Sequence, residues 1–134
     1  MAESRITQGL NAQQREAVTA GDGPVLVLAG PGSGKTRVLT HRIAYLIEEM
    51  DIRPWHIMAV TFTNKAAREM EGRVLSLLDG STWTERLSLG TFHSICARIL
   101  RREYEYTAFP PDYVIFDTAD QLAVVKLALN GLNL

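Results

Sequence analysis

The chain has 134 residues, 46% of them hydrophobic and 22% charged, with a net charge of −1. This balance excludes a disordered chain and a global electrostatic pull towards nucleic acid or membrane, so any such contact must come from local patches. The lone Cys96 excludes an internal disulfide, and no segment approaches the roughly 20 apolar residues of a membrane span or the apolar core of a signal peptide.

The expectation is therefore a soluble, cytoplasmic protein with no membrane contact, one domain or a piece of one, with Cys96 as a small core residue. Residues 1–9 are polar and read as a frayed terminus. Asn11 with Gln14 three positions on is a capping-box signal for a short helix, which the turn cluster Gly21-Asp22-Gly23-Pro24 stops. Val25-Leu26-Val27-Leu28 reads as a buried strand. Leu39, Ile43, Leu46, Ile47 and Met50 recur at helical spacing and predict a helix over roughly 35–50. Ile57 to Val60 reads as a second buried strand, and Ala67, Met70, Val74, Leu77 and Leu78 as a helix ended by Asp79-Gly80. Leu87-Ser88-Leu89 is a third short strand, followed by a helix marked by Ile95, Cys96, Ile99 and Leu100. Tyr113 to Phe116 is extended, and Thr118 with Gln121 predicts a capping box for a last helix closed by Asn130-Gly131. Such alternation means an α/β fold, a parallel sheet of βαβ units with helices on both faces.

Between the first strand and the second helix lies Ala29-Gly30-Pro31-Gly32-Ser33-Gly34-Lys35-Thr36. Glycines let successive backbone N–H groups converge on one point, and a helix N-terminus adds its dipole there. Lys35 can reach β- and γ-phosphates, and the Thr36 hydroxyl can ligate Mg²⁺. The strict phosphate-loop pattern opens on Gly where this chain has Ala29, but the strand-loop-helix context is complete. This stretch predicts a nucleoside triphosphate site for ATP and Mg²⁺.

Ligands in parallel sheets bind beyond the strand C-terminal ends, and two further strand ends are polar. Thr61-Phe62-Thr63-Asn64-Lys65 mixes a ring with hydrogen-bonding and cationic neighbours, the composition that binds single-stranded nucleic acid. Phe62 packed inward with Asn64 as a helix cap accounts for the same residues. Gly90-Thr91-Phe92-His93-Ser94 repeats the design, and Thr91 or His93 can donate to a phosphate. Arg98, Arg101 and Arg102 form a basic stripe that reads as a solvated helix face. Gln14 serves equally as the cap partner of Asn11 or as an amide facing an adenine edge. Asp117 ends an apolar stretch, as a magnesium-binding carboxylate does, but reads here as a loop or cap residue.

Leu10, Asn11 and Gln14, then Ala29–Thr36, Val60–Met70 and Gly90–Arg101, resemble in order and spacing motifs Q, I, Ia and Ib of the UvrD/Rep/PcrA helicases. These are superfamily 1 DNA translocases that move 3′ to 5′ and serve DNA repair. The resemblance spans residues 8–134. It implies a RecA-like first motor domain, of which residues 1–134 are the N-terminal part and about 110–134 lead towards an inserted subdomain. It further implies Gln14 at the adenine, Arg37 near the base or ribose, and Thr61, Phe62, Thr63, Asn64, Lys65, Thr91 and His93 on single-stranded DNA. The family's Asp-Glu box, second lobe and arginine fingers have no counterpart here, so the missing C-terminal helicase domains are expected partners and this chain alone is expected to bind nucleotide without turnover. Two other classes fit the phosphate loop: a non-catalytic nucleotide or single-stranded-DNA module, and a small P-loop kinase.

Overall fold

Where apolar residues recur every three to four positions, the chain forms two 14-residue helices around its core. The computed structural model describes residues 4–79 and 87–132, in two compact units, Met1–Cys96 and Ala97–Leu134. In chain order the elements are α1 (Ala12–Thr19), α2 (Lys35–Glu48), β1 (Met58–Thr61), α3 (Asn64–Leu77), β2 (Ser88–Thr91), α4 (Phe92–Arg102, crossing the unit boundary) and α5 (Thr118–Gly131). The fold is α/β with a small parallel sheet. β1 and β2 pair in parallel with Met58 opposite Ser88 and Thr61 opposite Thr91, and α3 lies between them in the sequence.

The core of the first unit joins α2, α3 and the strand entries through Ile43, Ala44, Ile57, Met70, Val74, Leu78 and Leu87. Ile6 completes it at 0% exposure. The expectation of a frayed N-terminus is thus corrected for the described residues. Ile6 fills the space between the helices, and Arg5 ties down the backbone beside it. Its guanidinium donates to Glu48 at 2.9 Å, to Leu77 O at 2.9 Å and to Asp79, which holds its pKa above the ordinary arginine value, Glu48 first and Asp79 next. A smaller cluster of Leu10, Val18 and Val38 packs α1 against α2.

Three further expectations change. Val25–Leu28 is not a strand: Leu26 is 83% and Leu28 87% exposed, and the sheet among the described residues has β1 and β2 only. A run that is apolar on both faces forms a central parallel strand only with a neighbour to complete its ladder. The second strand is half-buried, with Met58 61% exposed, because a two-stranded sheet has little to cover it. Cys96 is exposed, since Ile95 and Ala97 take the inward positions of α4.

In the second unit the Tyr113 hydroxyl donates to Ala97 O at 3.1 Å, and the Arg101 guanidinium lies 4.9 Å over the Tyr113 ring. Residues 113–116 belong to no helix or strand. The cap of α5 is Asp117 with Asp120, rather than Thr118 with Gln121: each carboxylate accepts the other residue's backbone N–H, at 2.9 and 3.1 Å. Asp sits here because an anionic cap also complements the helix dipole. The Gly80 expected to end α3 lies outside the described residues.

Candidate functional site

The phosphate loop is built by glycines at two positions of positive φ, Gly32 at 73° and Gly34 at 86°. Any residue with a Cβ is strained there. At Gly34 a Cβ would also meet Gln14 Nε2 at 2.8 Å. The turn closes by Ser33, whose backbone N–H and hydroxyl both donate to Gly30 O, at 3.3 and 2.6 Å. Gly34 then enters α2 with no side-chain cap, so among the described residues no side chain takes the first-turn N–H groups. An uncapped helix start favours negative charge. The Lys35 ammonium reaches back over the loop, donating to Ala29 O at 3.1 Å and Gly30 O at 2.7 Å. A cation held on loop carbonyls can exchange them for phosphate oxygens with little movement. Thr36 stands exposed in the first helical turn beside it, and Pro31 is exposed in the loop.

Gln14 sits against this loop. Its amide oxygen accepts from Asn11 N at 3.2 Å while Asn11 caps Gln14 N at 2.8 Å, giving the capping box expected. Its Nε2 donates to Ser33 O at 3.1 Å. The amide therefore links α1 to the phosphate loop, a role that local sequence does not reveal because the partner lies 19 residues away. Asn11, Gln14, Ala29, Gly30, Ser33 and Lys35 help line one cleft of about 360 Å³. Arg37, one residue past Thr36, turns elsewhere and donates to Gly9 O at 3.1 Å.

The second region lies at the C-terminal ends of β1 and β2. Because Thr61 pairs with Thr91, the residues after them leave the sheet side by side. Phe62 is 92% exposed, and its ring centroid lies 6.1 Å from that of Phe92 at 49°. The inward-packed reading of Phe62 is excluded. Phe92 is the residue sequence reasoning missed; the matching Thr-Phe pairs at the ends of the two strands were the signal that could have found it. Thr63, rather than Asn64, caps α3 by accepting from Ala66 N at 3.1 Å. Asn64 and Lys65 open that helix on its exposed side. Buried Thr61 donates to Thr63 O at 3.1 Å and holds the turn. Thr91 Oγ1 accepts from Ser94 N at 3.2 Å, leaving His93 exposed in the first turn of α4. The arginine stripe is a solvated helix face, as expected: all three side chains are exposed, with Arg101 over Tyr113 and Arg102 donating to Glu103 at 2.7 Å.

Two of the three polar junctions expected on one sheet edge thus meet through strand pairing, while the phosphate loop follows no strand among the described residues. Among those residues no helix is long and apolar enough to cross a membrane.

Over residues 10–134 the chain matches the family model described as the UvrD/REP helicase N-terminal domain. It is 53% identical over 131 residues to an ATP-dependent DNA helicase PcrA of Bacillus subtilis, covering 98% of this chain and 18% of that protein. It is 46% identical over 134 residues to the PcrA of Leuconostoc citreum, covering 100% of this chain and 18% of that protein. With the PcrA of Staphylococcus aureus strain Mu50 it shares 49% over 125 residues, 93% of this chain and 17% of that protein. The chain spans under a fifth of the length of these relatives. With its phosphate loop at the start of α2 and matching motifs along nearly its whole length, the chain belongs to the UvrD/REP helicase N-terminal domain family.

Proposed function

We propose that this chain is the nucleotide-binding and single-stranded-DNA-contacting front of an ATP-dependent 3′ to 5′ DNA helicase. In this reading residues 1–134 are the N-terminal part of a RecA-like motor domain, with residues from about 110 leading towards an inserted subdomain. The observation that carries it is the start of α2, uncapped, shaped by two positive-φ glycines and topped by the Lys35 ammonium. That donor set fits a triphosphate: backbone N–H groups of Gly32, Gly34, Lys35 and Thr36 cradle the oxygens and Lys35 neutralises them. The exposed Thr36 hydroxyl is a hard oxygen donor suited to Mg²⁺, which when bound neutralises phosphate charge. In this reading Gln14, bonded to Ser33 O beside the loop, takes the adenine, and Arg37 leaves Gly9 O to reach the base or ribose.

The DNA reading is supported by the ring pair. A phenyl ring left 92% in water gains no burial from the fold, and a nucleobase stacked on it would supply that burial. Thr63, Asn64, Lys65, Thr91 and His93 then supply donors and charge for the backbone beside the stacked bases. In this reading Thr61 acts from within, by holding the turn that presents Phe62.

Turnover needs a water-positioning carboxylate and transition-state charge, and losing an arginine finger alone costs about 10³–10⁵ in rate. Asp117 and Asp120 are committed to capping α5. The expected behaviour of this chain alone is nucleotide binding without turnover, with the helicase activity belonging to the longer protein. The test is ATP binding and turnover by the chain, with and without single-stranded DNA, against Lys35→Ala. ATP binding lost in Lys35→Ala, with turnover at background, sustains the reading. DNA-stimulated turnover lost in Lys35→Ala overturns the division of labour, and phosphoryl transfer to a small acceptor regardless of DNA favours a kinase.

A further inference from the structure

A second concentration of positive charge lies in the groove between α2 and α3, outside the phosphate loop. Its volume is about 290 Å³, and it is lined by Arg37, Thr40 and His41 from α2 and by Arg73, Ser76 and Leu77 from α3. The floor is closed, with Thr40 at 2% and His41 at 8% exposure. Two guanidiniums share the lining and no carboxylate does.

The protons available in this groove can be followed one by one. Thr40 donates its hydroxyl to Arg37 O at 3.0 Å and Ser76 to Gly72 O at 2.9 Å. His41 holds Ile6 O through Nδ1 at 2.5 Å. Arg37 uses one N–H on Gly9 O. Glu48 at the end of α2 and Asp79 just beyond α3 are already taken by Arg5. Arg73 has no hydrogen bond or ion pair among the described residues, so two cations face one concavity with most of their donors unspent.

Planar guanidiniums bind tetrahedral oxyanions in pairs of parallel N–H bonds, and an anion between two of them relieves their mutual repulsion. We infer that the groove between α2 and α3 is an oxyanion site for a phosphate group, clamped by Arg37 and Arg73. The phosphate comes either free or on a nucleic-acid strand. The site shares Arg37 with the proposed nucleotide site but needs neither Lys35 nor the glycine loop.

The test titrates inorganic phosphate into the full chain carrying Lys35→Ala, which removes the competing phosphate-loop cation. The side-chain Nε–Hε signals of Arg37 and Arg73 are followed by NMR. Both signals should move and saturate together. Adding Arg73→Gln should weaken phosphate binding about tenfold or more, as expected for losing charged hydrogen bonds. Arg73→Lys should restore only part of it, because an ammonium has no fork. Circular dichroism checks that the variants remain folded. A shift that never saturates, or an affinity untouched by Arg73→Gln, overturns the site and leaves an adventitious ion only. A short single-stranded oligonucleotide replaces phosphate in a second titration. Tighter binding at Arg73 than phosphate shows assigns the group to a nucleic-acid backbone, and weaker binding assigns free phosphate. Loss of ATP binding in the unmodified chain would sink the nucleotide reading and leave these signals unaffected.

Discussion

Two junctions in this molecule look alike in sequence and behave differently. Val25 to Lys35 and Ile57 to Lys65 each run from an apolar stretch through a polar turn into a helix. The first enters α2 through a glycine in the left-handed region with no side-chain cap, whereas the second enters α3 through Thr63, whose hydroxyl takes the N–H of Ala66. An open helix start offers its N–H groups to an external anion; a capped one has spent a donor internally and presents its side chains instead. The first junction thus leaves its helix start open, whereas the second presents an exposed ring. They differ also in support: β1 has β2 beside it, and Val25–Leu28 has no strand partner among the described residues.

The largest effect that would break this contrast is on DNA. Phe62→Ala should weaken single-stranded oligonucleotide binding by about 1–3 kcal/mol, measured by fluorescence anisotropy, with thermal stability unchanged because the ring is 92% exposed. Equal affinity in the variant would remove the second junction from any DNA interface. Gly34→Ala comes next. Forcing a Cβ into the left-handed region costs about 1–2 kcal/mol, and the clash with Gln14 adds to it. Denaturant melts should register that loss, and calorimetric titration with a non-hydrolysable ATP analogue should register weaker binding. Undiminished affinity would show that the loop shape seen here is not the one that binds.

Thr63→Ala should cost about 1 kcal/mol of stability, and Thr63→Ser should recover most of it, since serine caps equally well. No loss would mean that α3 opens without its cap, as α2 does. Smallest is Leu28→Ala, expected to move stability by less than about 0.5 kcal/mol, because the side chain is 87% exposed. A loss comparable to that of a buried leucine, about 2–5 kcal/mol, would show that Val25–Leu28 is covered in solution.

Chemistry that depends on neighbours in the chain was legible beforehand. The phosphate loop, the Asn11–Gln14 capping box and the helices around Ile43 and Val74 are short-range patterns of backbone freedom, hydrogen bonding and 3.6-residue period. The polar strand ends at Thr61 and Gly90 were legible as candidate contacts too, because a lone ring among donors is an unusual composition.

Partners far apart in the chain were another matter. Ile6 became core because α2 and α3 leave a gap that it fills, and Arg5 because carboxylates 43 and 74 residues away converge on it. Phe92 joined Phe62 because the parallel register sets Thr61 against Thr91. Asp117 took the α5 cap from Thr118 by a shift of one residue, which only the backbone path settles. Hydrophobicity alone placed Val25–Leu28 in a sheet; burial requires a second surface, and that belongs to tertiary structure.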